Sequence, residues 1–181
     1  MIPGAGAVEL RAATRDDAPA LAAIYGAHVA SGTGSFELTP PDAADMRRRF
    51  VAITDEGYPW LVACERGDVV GYAYAAAYRP RPAYRYTVED SVYLASAAQR
   101  RGIGRALLDR LIDICTARGD RQMVAVIGDA ANTASIALHA RAGFADAGRL
   151  RDVGRKFDRW LDVVLMQRAL GSGAGSAPDR P

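Results

Sequence analysis

Cysteine and histidine are scarce in this sequence, and long apolar runs are missing from it. The 181 residues include two cysteines, Cys64 and Cys115, and two histidines. Neither cysteine has another Cys or a His at ligand spacing, so a disulfide framework and a metal site are not expected. No run of about 18 uninterrupted apolar residues occurs, and residues 1–10 lack the basic start and apolar stretch of a secretory signal. A cytoplasmic protein with reduced cysteines and no membrane span is expected.

The sequence also lacks a strong charge of one sign. Its 23 Lys and Arg residues nearly balance 21 Asp and Glu, for a net charge of +2, and Lys156 is the only lysine. A charge this small does not favour nucleic acid or an anionic membrane as a partner. Arginines and tyrosines alternate around Arg79 and Tyr84, a pattern also seen in single-strand binding surfaces. One short loop in a nearly neutral protein is weak support for that function.

Hydrophobic periodicity predicts a single α/β domain. Residues 1–6 and 171–181 are rich in small residues and are expected to be flexible, which leaves residues 7–170 as the domain. Between these ends the patterns predict the order β-α-α-β-β-β-α-β-α-β-β. A hairpin precedes the β-α-β unit, so the sheet should be mixed and not doubly wound.

Two glycines, Gly102 and Gly104, lie among arginines between a predicted strand and a predicted helix. A Rossmann loop requires a third glycine where this chain has Leu107, and a Walker loop requires Gly-Lys followed by Ser or Thr, which is absent. Glycines let the backbone approach a ligand, and a helix N-terminus presents free N–H groups. The pattern therefore predicts a pyrophosphate site, although a turn that only begins a helix would look similar.

Residues 91–112 resemble the acetyl-CoA-binding segment of the GNAT acetyltransferase superfamily, and residues 132–144, an Asn before a helix that ends in Gly-Phe, resemble its second signature. The resemblance covers residues 7–169. It implies the GNAT fold, an α/β (α+β) architecture. In that fold a mixed, mostly antiparallel central sheet is flanked by helices, and a splayed strand pair forms the acetyl-CoA cleft.

A narrower resemblance is to the phosphinothricin and methionine-sulfoximine N-acetyltransferase branch. Residues 31–41, 83–94, 124–144 and 153–167 carry it, in the right order. This resemblance implies a homodimer, which nothing else in the sequence indicates.

The resemblance implies acetyl-CoA as co-substrate and no metal. Backbone N–H groups of the strand would polarise the thioester, as an oxyanion hole does. The segment 94–96, Leu-Ala-Ser, departs from the usual Val-Asp-Pro, which leaves the local backbone shape open. The residues assigned to the cofactor are Val92, Tyr93, Leu94, Gln99, Arg100, Arg101, Gly102, Ile103, Gly104, Arg105, Ala106, Asn132 and Ser135.

Acetyl transfer to an amine requires a group that accepts a proton from the attacking nitrogen. Glu89 and Asp90 are neighbours on the predicted strand, and alternation places them on opposite faces. The resemblance assigns Glu89 as the catalytic base, although a carboxylate at this place could also simply pair with an arginine. Asp90 is expected to be solvated or paired.

His139 stands where many GNAT enzymes have a tyrosine, four residues before Gly143. A thiol has a pKa near roughly 8.5, so a donor beside it would help a thiolate to leave. The resemblance thus makes His139 a candidate catalytic acid. A histidine that packs on the cofactor and bonds to backbone fits equally well. His28, on the first helix, is expected to be structural.

The acceptor site is predicted around Arg79 and Tyr84. An arginine fork suits a carboxylate, phosphinate or sulfone oxygen. The resemblance adds Phe36 and Thr87 as walls of the site. It also adds Lys156. The aromatic residues beside it, Phe157 and Trp160, either line this region or belong to a solvated turn.

The sequence thus predicts an acetyl-CoA-dependent N-acetyltransferase for a small amino-acid-like amine: methionine sulfoximine, methionine sulfone or phosphinothricin. Transfer would be direct, in a ternary complex, because no Cys or Ser lies in the motif as an acyl carrier. The alternatives are a GNAT enzyme for another amine, such as an ordinary amino acid or a protein N-terminus, and a non-catalytic acyl-CoA-binding regulator. The intact Glu89 and glycine loop favour an enzyme.

Overall fold

Seven strands form one sheet in the computed structural model, which describes residues 7–178. The strands are β1 (Glu9–Ala12), β2 (Trp60–Glu65), β3 (Asp68–Ala77), β4 (Thr87–Leu94), β5 (Gln122–Gly128), β6 (Ala145–Lys156) and β7 (Arg159–Ala169). The α-helices of the described residues are α1 (Ala18–Ser31), α2 (Ala43–Asp55), α3 (Ile103–Ala117) and α4 (Thr133–Arg141). The predicted order of strands and helices is confirmed.

The sheet is mixed and mostly antiparallel, as predicted, with the strand order β1-β2-β3-β4-β5-β7-β6. Among the strands of residues 7–178, only β4 and β5 are parallel neighbours. Their pairing runs from Thr87 opposite Gln122 to Asp90 opposite Ala125 and ends there. Beyond that point β4 continues alone along β3 as far as Leu94. The expected splayed strand pair is therefore present, and the fork lies at Asp90.

Both faces of the sheet are covered by helices, which divides the core into two clusters. On one face Leu107, Leu108 and Leu111 of α3 have no exposed surface. Each leucine buried in this way contributes about 1.5–3 kcal/mol of hydrophobic free energy. On the other face α1 and α2 pack on aromatic residues of β2 and β3, including Trp60 and Tyr72.

One residue of β5 is more exposed than its neighbours in the sequence suggest. A near-continuous apolar run such as that of β5 is typical of a strand covered on both sides, but Val126 is 38% exposed. Val126 directly follows Ala125, the last residue of β5 that pairs with β4. Its exposure therefore follows from the splay of the two strands.

The two chain ends are described only in part. Residues 1–6 and 179–181, which were expected to be flexible, lie outside the described residues. Residues 171–178 form turns against Arg121, whose Nη2 donates to the Ala177 carbonyl at 2.8 Å and whose Nη1 donates to Ser176 Oγ at 3.3 Å.

Candidate active site

The free edge of β4 presents backbone groups to the cleft. Ala95 N–H donates to the Val70 carbonyl at 2.9 Å, and Tyr78 N–H donates to the Thr87 carbonyl at 3.2 Å. In an antiparallel pair the residues bonded to the neighbour alternate with residues whose N–H and C=O point away. These two bonds fix the alternation, so Val92 and Leu94 direct their backbone groups away from β3, into the cleft.

The glycine loop joins this strand to the start of α3. Gly102 has a left-handed backbone (φ 81°), and no side chain caps the helix. The first bond of the helix runs from Ala106 N–H to the Gly102 carbonyl at 3.0 Å. The N–H groups of Ile103, Gly104 and Arg105 therefore lack partners inside the helix. Such a group of free donors at a helix N-terminus favours an anion.

Gly104 brings the start of α3 close to β4. A Cβ added there would lie 3.3 Å from Leu94 Cδ1 and 3.9 Å from Val92 Cγ1. The glycine thus allows the uncapped helix start and the free strand edge to form one continuous surface.

The three arginines of the glycine loop differ in the ion pairs that they form. Arg101 makes a two-bond ion pair with Glu65, at 3.0 and 2.5 Å. Arg105 binds Asp109 and also donates to the Arg141 carbonyl at 2.8 Å. Within residues 7–178, Arg100 alone of the three has no ion pair, and its backbone is left-handed (φ 59°). Arg100 is therefore the most available cation of the loop, and Gln99 beside it is also exposed.

Glu89 and Asp90 occupy opposite faces of β4, as alternation predicts. Glu89 is half-buried on the face covered by α1 and α2, next to the fork. Burial raises the pKa of Glu89, the charge of Asp90 raises it further, and the charge of Arg79 opposes both. A carboxylate with a raised pKa in a half-buried position is a suitable proton acceptor.

Asp90 forms a buried pair with His139 of α4. His139 Nε2 lies 2.9 Å from Asp90 Oδ2, and Nδ1 donates to the Ser135 carbonyl at 2.8 Å. The two side chains are 1% and 5% exposed. Both ring nitrogens therefore face acceptors, which favours the doubly protonated imidazolium. Burial lowers the pKa of His139, but the hydrogen bond and charge of Asp90 outweigh it, so the net pKa is above 6.5.

Sequence reasoning did not identify Asp90 as part of this pair. The available signal was its position on the face opposite Glu89, together with a histidine on a later helix. Asp90 Oδ1 is buried without a hydrogen bond, so this carboxylate has room to accept a further hydrogen bond.

Asn132 and Ser135, expected at the cofactor, form the start of α4, where Asn132 Oδ1 accepts from Ser135 N–H at 3.3 Å.

The loop between α1 and α2 (residues 32–42, the α1–α2 loop) lies over the end of β5. Thr33 Oγ1 donates to Asp129 Oδ2 at 2.6 Å. A Cβ on Gly128 would lie 2.9 Å from the carbonyl oxygens of Thr33 and Gly34, so only glycine permits this contact. The loop is therefore fixed against the strand that borders the cleft.

The same loop is fixed against the β6–β7 hairpin. Lys156, which is 4% exposed, donates from Nζ to the Ser35 carbonyl at 2.9 Å. Burial lowers the pKa of Lys156 and the charge of Glu37 opposes this effect. The ring of Phe36 lies on Gly154, where a Cβ would be 2.2 Å from a ring carbon. Lys156 thus holds the α1–α2 loop in place.

The predicted acceptor residues lie on different elements of the fold, and Arg79 is the one whose charge acts on Glu89. The Arg79 guanidinium lies 4.9 Å from the ring centre of Tyr78, and Tyr84 meets the same ring edge-on at 5.7 Å. Arg79 is exposed and close enough for its charge to affect Glu89. Phe36 is 37% exposed on the α1–α2 loop, and Thr87 begins β4.

His28, expected to be structural, contacts the end of β4. Its Nε2 lies 2.8 Å from the Leu94 carbonyl oxygen.

Among residues 7–178 no group of three or more His, Cys, Asp or Glu side chains could hold a metal ion. The described helices include none that is both long and apolar enough to cross a membrane.

Comparison with known proteins agrees with this arrangement. The model of the acetyltransferase (GNAT) family matches residues 21–144. Phosphinothricin N-acetyltransferase of Alcaligenes faecalis is 51% identical over 173 residues, 96% of this chain and 88% of its own. A methionine sulfoximine/methionine sulfone acetyltransferase of Pseudomonas paraeruginosa is 43% identical over 152 residues, 83% of this chain and 88% of its own.

A solved structure extends the similarity to the fold and the cofactor. The GNAT superfamily phosphinothricin acetyltransferase of Sinorhizobium meliloti, in complex with acetyl-CoA, superposes with a TM-score of 0.92. It is 48% identical, and the match covers 96% of this chain and 94% of that one. The family match and the splayed sheet lead to one conclusion: this chain belongs to the GNAT acetyltransferase family.

Proposed function

We propose that this protein transfers the acetyl group of acetyl-CoA to the α-amino group of a small amino-acid-like acceptor, namely methionine sulfoximine, methionine sulfone or phosphinothricin. The observation that carries the proposal is the half-buried carboxylate of Glu89 at the point where β4 and β5 separate. The names of the relatives at 51% and 43% identity support these acceptors.

The residues present fit acetyl-CoA, which supplies the activated acetyl thioester when it is bound. The free N–H groups at the start of α3 suit the pyrophosphate, and Arg100 adds a positive charge beside them. The backbone of Val92 and Leu94 on the open edge of β4 suits the amides of the pantetheine arm. Gln99 and Ala106 flank the helix start, and Tyr93 packs its ring on α1 at 4.9 Å from that of Tyr25.

Glu89 acts as the proton acceptor in this proposal. An α-amino group has a pKa near roughly 8, so part of it is neutral at cellular pH. Once the nitrogen attacks, it carries a positive charge and two protons; one of them becomes acidic and passes to Glu89 directly or through one water, and the other stays on the amide product. The raised pKa of Glu89 brings this carboxylate closer to the working pH.

His139 supplies positive charge on the other face of β4, where Asp90 and the Ser135 carbonyl hold its ring. It favours departure of the thiolate by this charge. A role as proton donor requires one of its two hydrogen bonds to break. Asp90 is thus a positioning residue for His139.

The acceptor lies between the Arg79 loop and the α1–α2 loop in this proposal. Arg79 is free to bind a carboxylate, phosphinate or sulfone oxygen, and Tyr84, Thr87 and Phe36 form walls. Lys156 contributes by holding the Ser35 backbone. Transfer is direct, in a ternary complex, and residues 7–170 act as one catalytic domain.

A homodimer and a cytoplasmic location complete the proposal. Exposed apolar side chains gather on the β6–β7 hairpin at the sheet edge, which fits a contact between copies: Leu150, Val153, Phe157 and Trp160. Light scattering tests the dimer, and a monomeric mass would contradict it. The two cysteines are free and buried, which suits a reducing compartment.

The experiment that tests the activity is release of free thiol from acetyl-CoA with a panel of amines. We expect Glu89→Gln to lower kcat about 100-fold or more, most strongly at low pH, where the amine is protonated. Glu56→Gln, an exposed carboxylate at the end of α2, is the control and should match the wild type. Tight acetyl-CoA binding without turnover of any amine would instead indicate a regulator. A preference for ordinary amino acids or peptide N-termini would indicate the other acceptor class.

A further inference from the structure

His28 bonds to the end of β4, on the edge that has no strand partner beyond the fork at Asp90. Its Nε2 lies 2.8 Å from the Leu94 carbonyl oxygen, a contact between residues 66 positions apart. A carbonyl only accepts, so Nε2 carries the proton and donates it. His28 comes from the last turn of α1, whereas Leu94 is the last residue of β4.

The bond between His28 and Leu94 lies on the side of β4 that faces the cleft. The backbone groups of Leu94 point away from β3, toward the side where β5 would lie if the two strands had not separated at Asp90. The imidazole therefore takes the place of a strand partner at the outer end of the cleft. On this free edge it leaves the C=O and N–H of Val92 and the N–H of Leu94 for a ligand.

The imidazole is itself held firmly. Its ring packs against Tyr93 with 5.6 Å between ring centres. The His28 carbonyl accepts from Gly32 N–H at 2.9 Å, which ends α1, and a Cβ on Gly32 would lie 2.8 Å from that oxygen. A donor fixed at both its ring and its backbone can define where a strand edge lies.

We propose that His28 is a positioning residue for acetyl-CoA, which fixes the Leu94 end of β4 so that the free backbone groups of the cleft meet the pantetheine arm in register. The inference rests on the proposed function, because it takes the open edge of β4 as the acetyl-CoA site. Without the donor, the Leu94 carbonyl loses its partner, and the peptide that it shares with Ala95 N–H keeps the bond to the Val70 carbonyl on the β3 side but none on the cleft side.

The test compares variants that keep or remove the donor. His28→Phe keeps the ring contact with Tyr93 and removes the N–H, whereas the amide nitrogen of His28→Gln can occupy nearly the position of Nε2. His28→Asn, whose amide is too short to reach Leu94, is a second loss variant. Thr116→Val is the control, because it removes a bond of 2.7 Å to the Ile112 carbonyl within α3.

We expect His28→Phe and His28→Asn to raise the KM for acetyl-CoA about tenfold, as expected for an unpaired carbonyl beside the ligand. The kcat and the KM for phosphinothricin should stay within about twofold, and His28→Gln should restore the KM for acetyl-CoA to within about threefold. Thr116→Val should lower the melting temperature without changing either KM.

Calorimetric titration with acetyl-CoA alone separates this inference from the proposed function. A wild-type protein that binds acetyl-CoA without acetylating any amine would contradict the function, yet weaker binding by His28→Phe would still support the role of His28. Unchanged acetyl-CoA affinity in both loss variants would overturn the inference. So would a His28→Gln variant as impaired as His28→Phe, because the donor would then not be the cause.

Discussion

Replacing Asp90 with asparagine removes the charge from one half of a buried ion pair. In the wild type, His139 Nε2 and Asp90 Oδ2 are 2.9 Å apart and neither side chain is more than 5% exposed. Asparagine keeps the shape and can still accept through its amide oxygen. It cannot balance the charge of the imidazolium.

The expected cost follows from these partners. Removing one member of a buried pair costs about 3–5 kcal/mol when the remaining charge has no alternative. Here the asparagine retains one hydrogen bond and His139 can release its proton, so we expect about 2 kcal/mol near pH 6. For a chain of this size each kcal/mol corresponds to about 2–4 °C. Asp90→Asn should therefore melt about 4–8 °C below the wild type.

The pH dependence has a definite sign. The pKa of His139 is raised above 6.5 in the folded protein, with Asp90 as the cause that outweighs burial. A group with a raised folded pKa stabilises the protein fully below its unfolded pKa, and this stability is lost as pH rises through the folded pKa. The difference between wild type and Asp90→Asn should thus be largest near pH 6. It should shrink or reverse at pH 9.

Thermal unfolding followed by circular dichroism at pH 6, 7.5 and 9 measures this difference. Asp109→Asn is the matched control, because Asp109 pairs with Arg105 on the surface of α3, where both side chains are 45% exposed. That variant should stay within about 0.5 kcal/mol of the wild type. If the loss of stability caused by Asp90→Asn is the same at pH 6 and pH 9, His139 is not charged in the folded protein and the reasoning is refuted.

Two glycine variants separate the two halves of the site. Gly128→Ala places a Cβ 2.9 Å from the carbonyl oxygens of Thr33 and Gly34, so we expect it to displace the α1–α2 loop. In steady-state kinetics the KM for the acceptor should rise about tenfold, and the KM for acetyl-CoA should not change. Gly102→Ala meets no atom within 4 Å but forces alanine to φ 81°, at a cost of about 1–2 kcal/mol, and should raise the KM for acetyl-CoA alone. The opposite pattern in either variant would show that the loops have been assigned to the wrong substrates.

Local sequence patterns predicted much of the fold. The periodicities gave the order of all strands and helices, and alternation along β4 placed Glu89 and Asp90 on opposite faces. The glycine loop was recognisable because a left-handed turn and a close approach require residues without a Cβ.

The contacts that sequence reasoning missed join distant parts of the chain. His139 meets Asp90 across 49 positions, and Lys156 meets the Ser35 carbonyl across 121. Arg101, which was predicted at the cofactor, forms an ion pair with Glu65, 36 positions away. No periodicity relates such residues, because their proximity depends on the order in which strands join the sheet.

The burial of Lys156 has a consequence for the chemistry of the protein's own surface. Lys156 is the only lysine in the sequence, and its ammonium group is enclosed and bonded to backbone. The protein therefore displays no lysine amine that an activated ester could modify. Crosslinkers and dyes that target lysine should leave its side chains unlabelled, and an enzyme that handles an acyl donor is thereby spared lysine acylation of itself.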